Sequence, residues 1–197
     1  MTTATGAPPT GVSRLTAAHR LDSTARRAAE KILDQYYPEL TAPVPLGLIV
    51  QRAGYRTSRV KHETTAVGFL IRDAAGNPAI GLNSRHGERH QRFALAHCFG
   101  HGELHENDLM ICHELRTPEV QAGVGRSWPT DAEEQQATRF ATELLMPAET
   151  VFDVARPLLD GQSNPDRIRF VKAMADVFDV SYEAMVFRLV DLAMIVP

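Results

Sequence analysis

The chain has 197 residues, of which 44% are hydrophobic and 23% are charged, and its formal net charge is −3. This charge excludes a global basic field that would draw the protein onto nucleic acid or anionic lipid, and the composition is typical of a globular domain. No apolar run is long enough to span a membrane, the N-terminus lacks a signal sequence, and two cysteines cannot form a disulfide framework. We therefore expect a cytoplasmic protein without a membrane partner.

The first half of the chain contains helical signals followed by strand signals. Residues 1–22 begin with Thr, Ala, Gly and Pro without apolar periodicity, which predicts a disordered or loosely attached tail. Apolar residues at helical spacing then predict a helix at about 23–37 and a shorter one at about 46–53. A small antiparallel sheet is predicted from three short β-rich runs, at 55–61, 66–72 and 79–83, with a hairpin turn between the last two.

The second half of the chain is mainly helical in pattern. A helix is predicted at about 88–103, followed by a long loop at 106–130 that could lie over a cleft. Thr130 and Glu133 have the spacing of a capping box, which predicts the start of a helix that ends near Leu145. Three further amphipathic helices are predicted, at about 148–159, 165–178 and 182–194.

The main chemical signal lies in the helix predicted at 88–103. His97 and His101 are four residues apart, so their imidazoles lie one turn apart on one face and can reach a single ion. Their neighbours are largely apolar, which is typical of a buried, rigid helix. The pair His86 and His90 has the same spacing but lies among arginines, which favours a solvated helix start.

A third metal ligand should come from a separate element, because two ligands one turn apart cannot surround a tetrahedral ion. Glu134, in the first turn of the helix after the capping box, is the best candidate. A carboxylate is also favoured there by the helix dipole without any metal. The adjacent Cys112 and His113 lack chelating spacing and favour a structural role.

Two motifs together resemble the ImmA/IrrE family of metallopeptidases, over about residues 25–150. They are Gln-Arg-Phe-Ala-Leu-Ala-His-Cys-Phe-Gly-His-Gly-Glu-Leu-His at 91–105 and Glu-x-x-Ala-x-x-Phe-Ala-x-Glu-Leu-Leu-Met-Pro at 134–147. The resemblance implies a zincin-like α+β fold, with a small antiparallel sheet packed beside the histidine helix and further helices around it. We expect residues 23–150 to form this domain and residues 151–197 to form a helical cap on the same core.

The same resemblance implies a chemistry and a partner. It implies a zinc ion bound by His97, His101 and Glu134. Members of the family are similar in cleaving DNA-binding repressors, so a repressor-type transcription regulator is implied as substrate or partner.

The chain departs from the family pattern at one position. Cys98 stands where the family has the glutamate that acts as general base. A neutral thiol is a poor base, and loss of a general base typically costs about 10²–10⁴ in rate. The sequence therefore predicts a zinc metallopeptidase-fold protein that acts on or with a repressor and whose activity is lost or reduced. The alternative is a non-catalytic zinc protein that regulates or binds a partner.

Other interpretations of Cys98 stay open. It could be an inactivating substitution introduced to trap an active enzyme, a redox-sensitive thiol or an additional ligand. Residual hydrolysis could use Glu103 or His105 as the base. His105 could also hydrogen-bond a ligand or stabilise an oxyanion, or simply lie at the helix C-terminus, where positive charge is favoured. Trp128, in the predicted loop, is the best candidate for substrate contact.

The two C-terminal helices could be taken for a helix-turn-helix. The candidate recognition helix offers only Arg188 as a cation, against Glu183 and Asp191. A helix that reads a DNA groove normally presents several basic or amide side chains. Direct DNA binding is therefore not expected, and a helical cap or a partner surface is favoured.

Overall fold

The computed structural model describes residues 11–113, 130–159 and 166–196. Within these ranges lie four strands, β1 Arg56–Val60, β2 Ala66–Arg72, β3 Pro78–Asn83 and β4 Leu109–His113. The helices of the same ranges are α1 Gly11–Tyr36, α2 Leu46–Arg52, α3 Glu88–Leu104, α4 Asp131–Leu145, α5 Ala148–Leu159, α6 Arg167–Phe178 and α7 Tyr182–Asp191. The α+β class is thus confirmed. The predicted loop beyond residue 113, with Trp128, lies outside the described residues, as does the start of the predicted tail at residues 1–10.

The first helix begins earlier than predicted. Residues 11–22 are helical, where the sequence predicted a loose tail. Between Val12 and Tyr36 the chain contains neither proline nor glycine, and alanine and arginine favour a helix even where apolar periodicity is weak. Asp22, near the middle of α1, forms an ion pair with Arg139 of α4 at 2.8 Å between oxygen and nitrogen, so α1 is held against α4 at this point.

The sheet is mixed and four-stranded, with the order β1-β3-β2-β4. Strand β2 is antiparallel to both β3 and β4, as predicted for the hairpin, but β1 pairs with β3 in parallel. The tight turn at Asp73–Asn77 makes β2 and β3 antiparallel neighbours. The short connection at 61–65 reverses the chain between β1 and β2, so β1, which lies on the far edge of β3, runs parallel to β3. The expectation of an antiparallel sheet is therefore wrong for this pair.

Strand β4 was missed by sequence reasoning, which predicted a loop in this region. Burial alternates along it, because Met110 and Cys112 are buried while Leu109 is exposed, but residues 109–112 are all apolar and show no polar–apolar alternation in the sequence. The strand forms the edge of the sheet beside β2 and directs Cys112 toward α3.

Helix α3 packs on one face of the sheet and, on its other side, against α4. The two helices approach closely at Gly100, where an added Cβ would lie 3.2 Å from the backbone of Ala137 and 2.9 Å from the ring of Phe140. The buried apolar residues of the C-terminal helices belong to the same core cluster as those of α3 and the sheet. Across the described ranges, each helix is too short or too polar to cross a membrane.

The C-terminal helix α7 is joined to α4 by a buried ion pair. Arg188 is 1% exposed and donates hydrogen bonds to Glu143 at 3.1 Å and to the carbonyl oxygen of Met146 at 2.9 Å. It also donates to Asp191 at 2.9 Å. The one cation of the candidate recognition helix is therefore turned into the protein and bound by carboxylates.

Candidate metal centre

Two imidazoles from α3 form one side of the candidate metal site. The Nε2 atoms of His97 and His101 lie 3.1 Å apart, and the two rings meet edge to face with centroids 4.7 Å apart. His101 is fully buried and His97 is nearly so. The apolar residues around them, among them Ala96 and Phe99, are buried in the core, which holds this face of the helix rigid.

Helix α4 brings a carboxylate to the same point. The Thr130–Glu133 capping box is formed as predicted, and it fixes the first turn of α4 opposite α3. Glu134 Oε2 lies 3.2 Å from Nε2 of His97, and Glu134 Oε1 lies 3.5 Å from Nε2 of His101. The three side chains that the sequence singled out are thus brought together.

The spacing of these donor atoms fits a divalent cation. Tetrahedral ligands with bonds of about 2.0–2.1 Å lie roughly 3.3–3.4 Å from one another. The distances of 3.1, 3.2 and 3.5 Å between the imidazole and carboxylate atoms bracket this value. Nitrogen and carboxylate oxygen are also the ligand types that zinc accepts.

A fourth donor comes from β4. The Sγ atom of Cys112 and the ring nitrogens of His97 and His101 all lie within 4.8 Å of one another, and all three side chains are buried. Sequence reasoning had assigned Cys112 a structural role because it lies next to His113 and not at chelating spacing. The sequence of β4 gives no signal that this side chain faces α3, because the residues before it, Met110 and Ile111, are apolar as well.

Cys98 lies beside Cys112, in the tightly packed interior between α3 and the sheet. Its side chain is fully buried, and its Sγ donates a hydrogen bond to Sγ of Cys112 at 3.3 Å. Both thiols are free, with no disulfide between them. Strand β2 passes close by, since a Cβ at Gly68 would lie 3.0 Å from Sγ of Cys98. The thiol thus fills a small gap between helix and sheet.

A second layer of side chains fixes the orientation of the imidazoles. His105 Nε2 lies 3.1 Å from the side-chain oxygen of Gln136, and His105 Nδ1 lies 3.0 Å from Nδ1 of His101. If Nε2 of His105 donates to Gln136, its Nδ1 accepts the Nδ1 proton of His101. The Nε2 atom of His101 then carries a lone pair that faces Glu134 and Cys112. His97 is supported more loosely, with Thr138 Oγ1 at 3.4 Å from its Nδ1.

The protonation states follow from this packing. Burial favours the neutral form of Glu134, but hydrogen bonds from His101 and His97 outweigh it and lower the pKa of the carboxyl. Burial by itself lowers the pKa of His97, whereas the neighbouring Cys112 and Glu134 raise it overall. The adjacent buried thiol of Cys98, together with burial, raises the pKa of Cys112. Because the pKa of His97 is raised, a bound dication would compete with a proton for this imidazole.

The other candidate bases lie elsewhere. Glu103 is exposed and accepts a hydrogen bond from the hydroxyl of Tyr55 at 2.8 Å. His105 lies behind His101, on the side away from Glu134. His86 and His90 stack on each other with ring centroids 4.9 Å apart at the beginning of α3. In the described residues, neither Glu103 nor His105 has the position of a general base.

The chain was compared with known proteins. No curated protein matches it significantly. A family model described as Peptidase_M78, IrrE N-terminal-like domain, matches residues 50–190. The match includes the histidine helix, Glu134 and the C-terminal helices, and it confirms the resemblance found in the sequence. The chain therefore belongs to the Peptidase_M78 family, whose members have a metallopeptidase fold of the IrrE N-terminal type.

Proposed function

We propose that this protein is a zinc-binding member of its family that has lost peptidase activity and acts by binding a DNA-binding repressor. His97, His101 and Glu134 hold the ion. Zinc in such a site polarises a carbonyl group and activates water. The chain's own residues would supply binding and orientation, while the proton transfer that hydrolysis needs would lack its base.

The single observation that carries this proposal is the position of Cys98. A general base must lie within hydrogen-bond reach of the proton that it removes. The thiol of Cys98 is fully buried and directed at Cys112, and it carries no basic atom that reaches past the imidazoles. The two alternative bases, Glu103 and His105, are held by other partners. The geometry therefore favours binding over turnover.

A protein partner is supported by the surface beside the site. A cleft of about 440 Å³ is lined by Glu134, Thr138 and Phe187, among others. Phe187 is 74% exposed and offers an apolar contact at the edge of this cleft, beside the carboxylate of Glu134. The family likeness supports a repressor as the molecule that docks there. Since Arg188 is buried, α7 lacks the exposed cation with which it could have contacted DNA.

The test uses the zinc-loaded protein and a helix-turn-helix repressor encoded beside its gene. We expect a complex in size-exclusion chromatography and an intact repressor after prolonged incubation. Chelator-sensitive cleavage by the unaltered chain would contradict the loss of activity. The absence of a complex with that repressor would contradict the choice of partner. His97→Ala is the matched control, because it should lose the ion.

A second experiment asks whether Cys98 is the cause of the lost activity. Glutamate at this position needs the space between Gly68 and Cys112, so the variant to make is Cys98→Glu combined with Cys112→Ala. We expect it to bind zinc and cleave the repressor, with a gain of about 10²–10⁴ over the unaltered chain. Zinc binding without any cleavage would show that another feature of the site prevents hydrolysis.

A further inference from the structure

We propose that Cys112 is the fourth protein ligand of the metal ion and closes its coordination sphere. This inference rests on the metal site of the proposed function and adds to it. Catalytic zinc sites keep one position open for water or substrate, whereas structural sites take all four ligands from the protein. A site made of His97, His101, Glu134 and Cys112 belongs to the second kind.

The position of Cys112 supports this role. Strand β4 places its side chain under α3, where Sγ interacts with both imidazoles and lies within 4.8 Å of their ring nitrogens. For bonds of about 2.3 Å to sulfur and about 2.0–2.1 Å to nitrogen, the sulfur and nitrogen atoms of a tetrahedral site are roughly 3.6 Å apart. The observed separation of at most 4.8 Å is compatible with that distance.

The charge of the site favours the same conclusion. Two neutral imidazoles and one carboxylate leave a dication with one uncompensated positive charge. That charge would lie beside His101 and Cys98, which are both fully buried. An uncompensated charge is costly in such surroundings. A thiolate from Cys112 neutralises it, and binding releases the thiol proton to solvent, because the ion lowers the pKa of a coordinating thiol.

This arrangement also accounts for the departure at position 98. A glutamate there would bring a second carboxylate next to a thiolate ligand, and the two like charges would repel each other. The thiol of Cys98 instead donates a hydrogen bond to Sγ of Cys112. Donors of this kind orient and stabilise a metal-bound sulfur. Cys98 is thus a positioning residue, and the two cysteines function together.

Cobalt(II) substitution of the full-length chain tests the inference. Cobalt bound to a thiolate gives a sulfur-to-metal charge-transfer band in the near ultraviolet, and imidazole and carboxylate ligands do not. The chain contains two cysteines, so Cys98→Ala leaves Cys112 as the only thiol. We expect the band per bound cobalt to persist in the unaltered protein and in Cys98→Ala, and to disappear in Cys112→Ser while cobalt is still bound.

The outcomes separate the two proposals. If the unaltered protein binds no cobalt or zinc in equilibrium dialysis, the metal site of the proposed function is wrong. If it binds cobalt without the charge-transfer band, or if Cys98→Ala loses the band, only the role of Cys112 is wrong. Should Cys112→Ser fail to fold, as judged by circular dichroism, the band of Cys98→Ala still decides the assignment. A shift of that band relative to the unaltered protein is the expected sign of the lost hydrogen bond from Cys98.

Discussion

Helix α4 carries two glutamates that face two different buried polar clusters. Near its end, Glu143 meets the guanidinium of Arg188, so that cluster contains its own cation. Near its beginning, Glu134 meets His97 and His101, whose facing atoms are electron-pair donors. The first cluster is complete within the chain, whereas the second depends on a proton or a metal ion. Damage to the first should therefore reduce folding stability, and damage to the second should reduce ion binding.

The largest effect is expected from the loss of a ligand. His101→Ala removes the fully buried imidazole that faces Glu134, so we expect the largest fall in zinc affinity and little retained zinc in metal analysis after dialysis against a chelator. His62→Ala is the matched control, because His62 is an exposed histidine outside the cluster. If His101→Ala retains as much zinc as the unaltered protein, the cluster around Glu134 is not an ion-binding site, and it does not differ from the Glu143 cluster in this respect.

The next largest effect is expected on folding stability, from the Arg188–Glu143 ion pair near the C-terminal end of α4. Arg188→Ala removes the fully buried partner of Glu143 and leaves this carboxylate only Arg139, 3.0 Å away, so we expect a loss at the lower end of the about 3–5 kcal/mol that breaking a buried pair typically costs. Urea unfolding of the metal-free protein measures this loss, and zinc affinity should stay nearly unchanged. Arg188→Met combined with Glu143→Leu should recover most of the stability, because no buried carboxylate is then left unpaired. A zinc affinity that falls together with stability would show that the two clusters are coupled.

A smaller effect on metal affinity is expected from a residue that contacts a ligand and not the ion. His105→Ala removes the hydrogen-bond partner of His101 Nδ1, and such residues typically contribute about 10–100-fold to metal affinity. Competition with a chromophoric chelator measures the change. Glu103→Gln is the control, since Glu103 is directed at Tyr55 and not at the imidazoles. An unchanged affinity in His105→Ala would mean that the helix alone orients His101.

The smallest effect is expected at Asp73, an exposed carboxylate that serves as a reference for Glu134 and Glu143. Hydrogen bonds from Asn77 lower the pKa of Asp73 in the hairpin turn. A lowered pKa in the folded state gives stability above the unfolded value of about 3.9, and this stability is lost as pH falls through the folded value. The difference in melting temperature between the unaltered protein and Asp73→Ala should therefore be present near neutral pH and shrink in acid. A constant difference would show that the charge of Asp73 is irrelevant to the turn.

The parts of the molecule that the sequence predicted depend on local signals. His97 and His101 lie on one helix, and the capping box with Glu134 lies at the start of the next, so spacing and motif suffice to find them. The edge strand and Cys112 depend on pairing between β2 and β4, about 40 residues apart in the chain, and a short apolar run does not reveal that pairing. The parallel pairing of β1 has the same cause.

The pair Arg188–Glu143 was missed for a related reason. The two residues are 45 positions apart, and each alone has the appearance of an ordinary surface charge. Sequence reasoning used Arg188 only to weigh DNA binding, where its isolation on α7 was informative. Its actual partners follow from how α7 packs on α4, and this packing is decided by the apolar core around Met185 and Leu189.

The close contact at Gly100 has a consequence for which ions the protein accepts. The two ligand-bearing helices touch through backbone atoms of Ala137, so the gap between the imidazoles and the carboxylate is set by a hard contact and not by flexible side chains. Even a methyl group at this position would require its neighbours to yield by a few tenths of an ångström. The distance between the imidazoles and the carboxylate is thus fixed by a glycine that is not itself a ligand, and we expect this fixed distance to favour small cations over larger ones such as calcium.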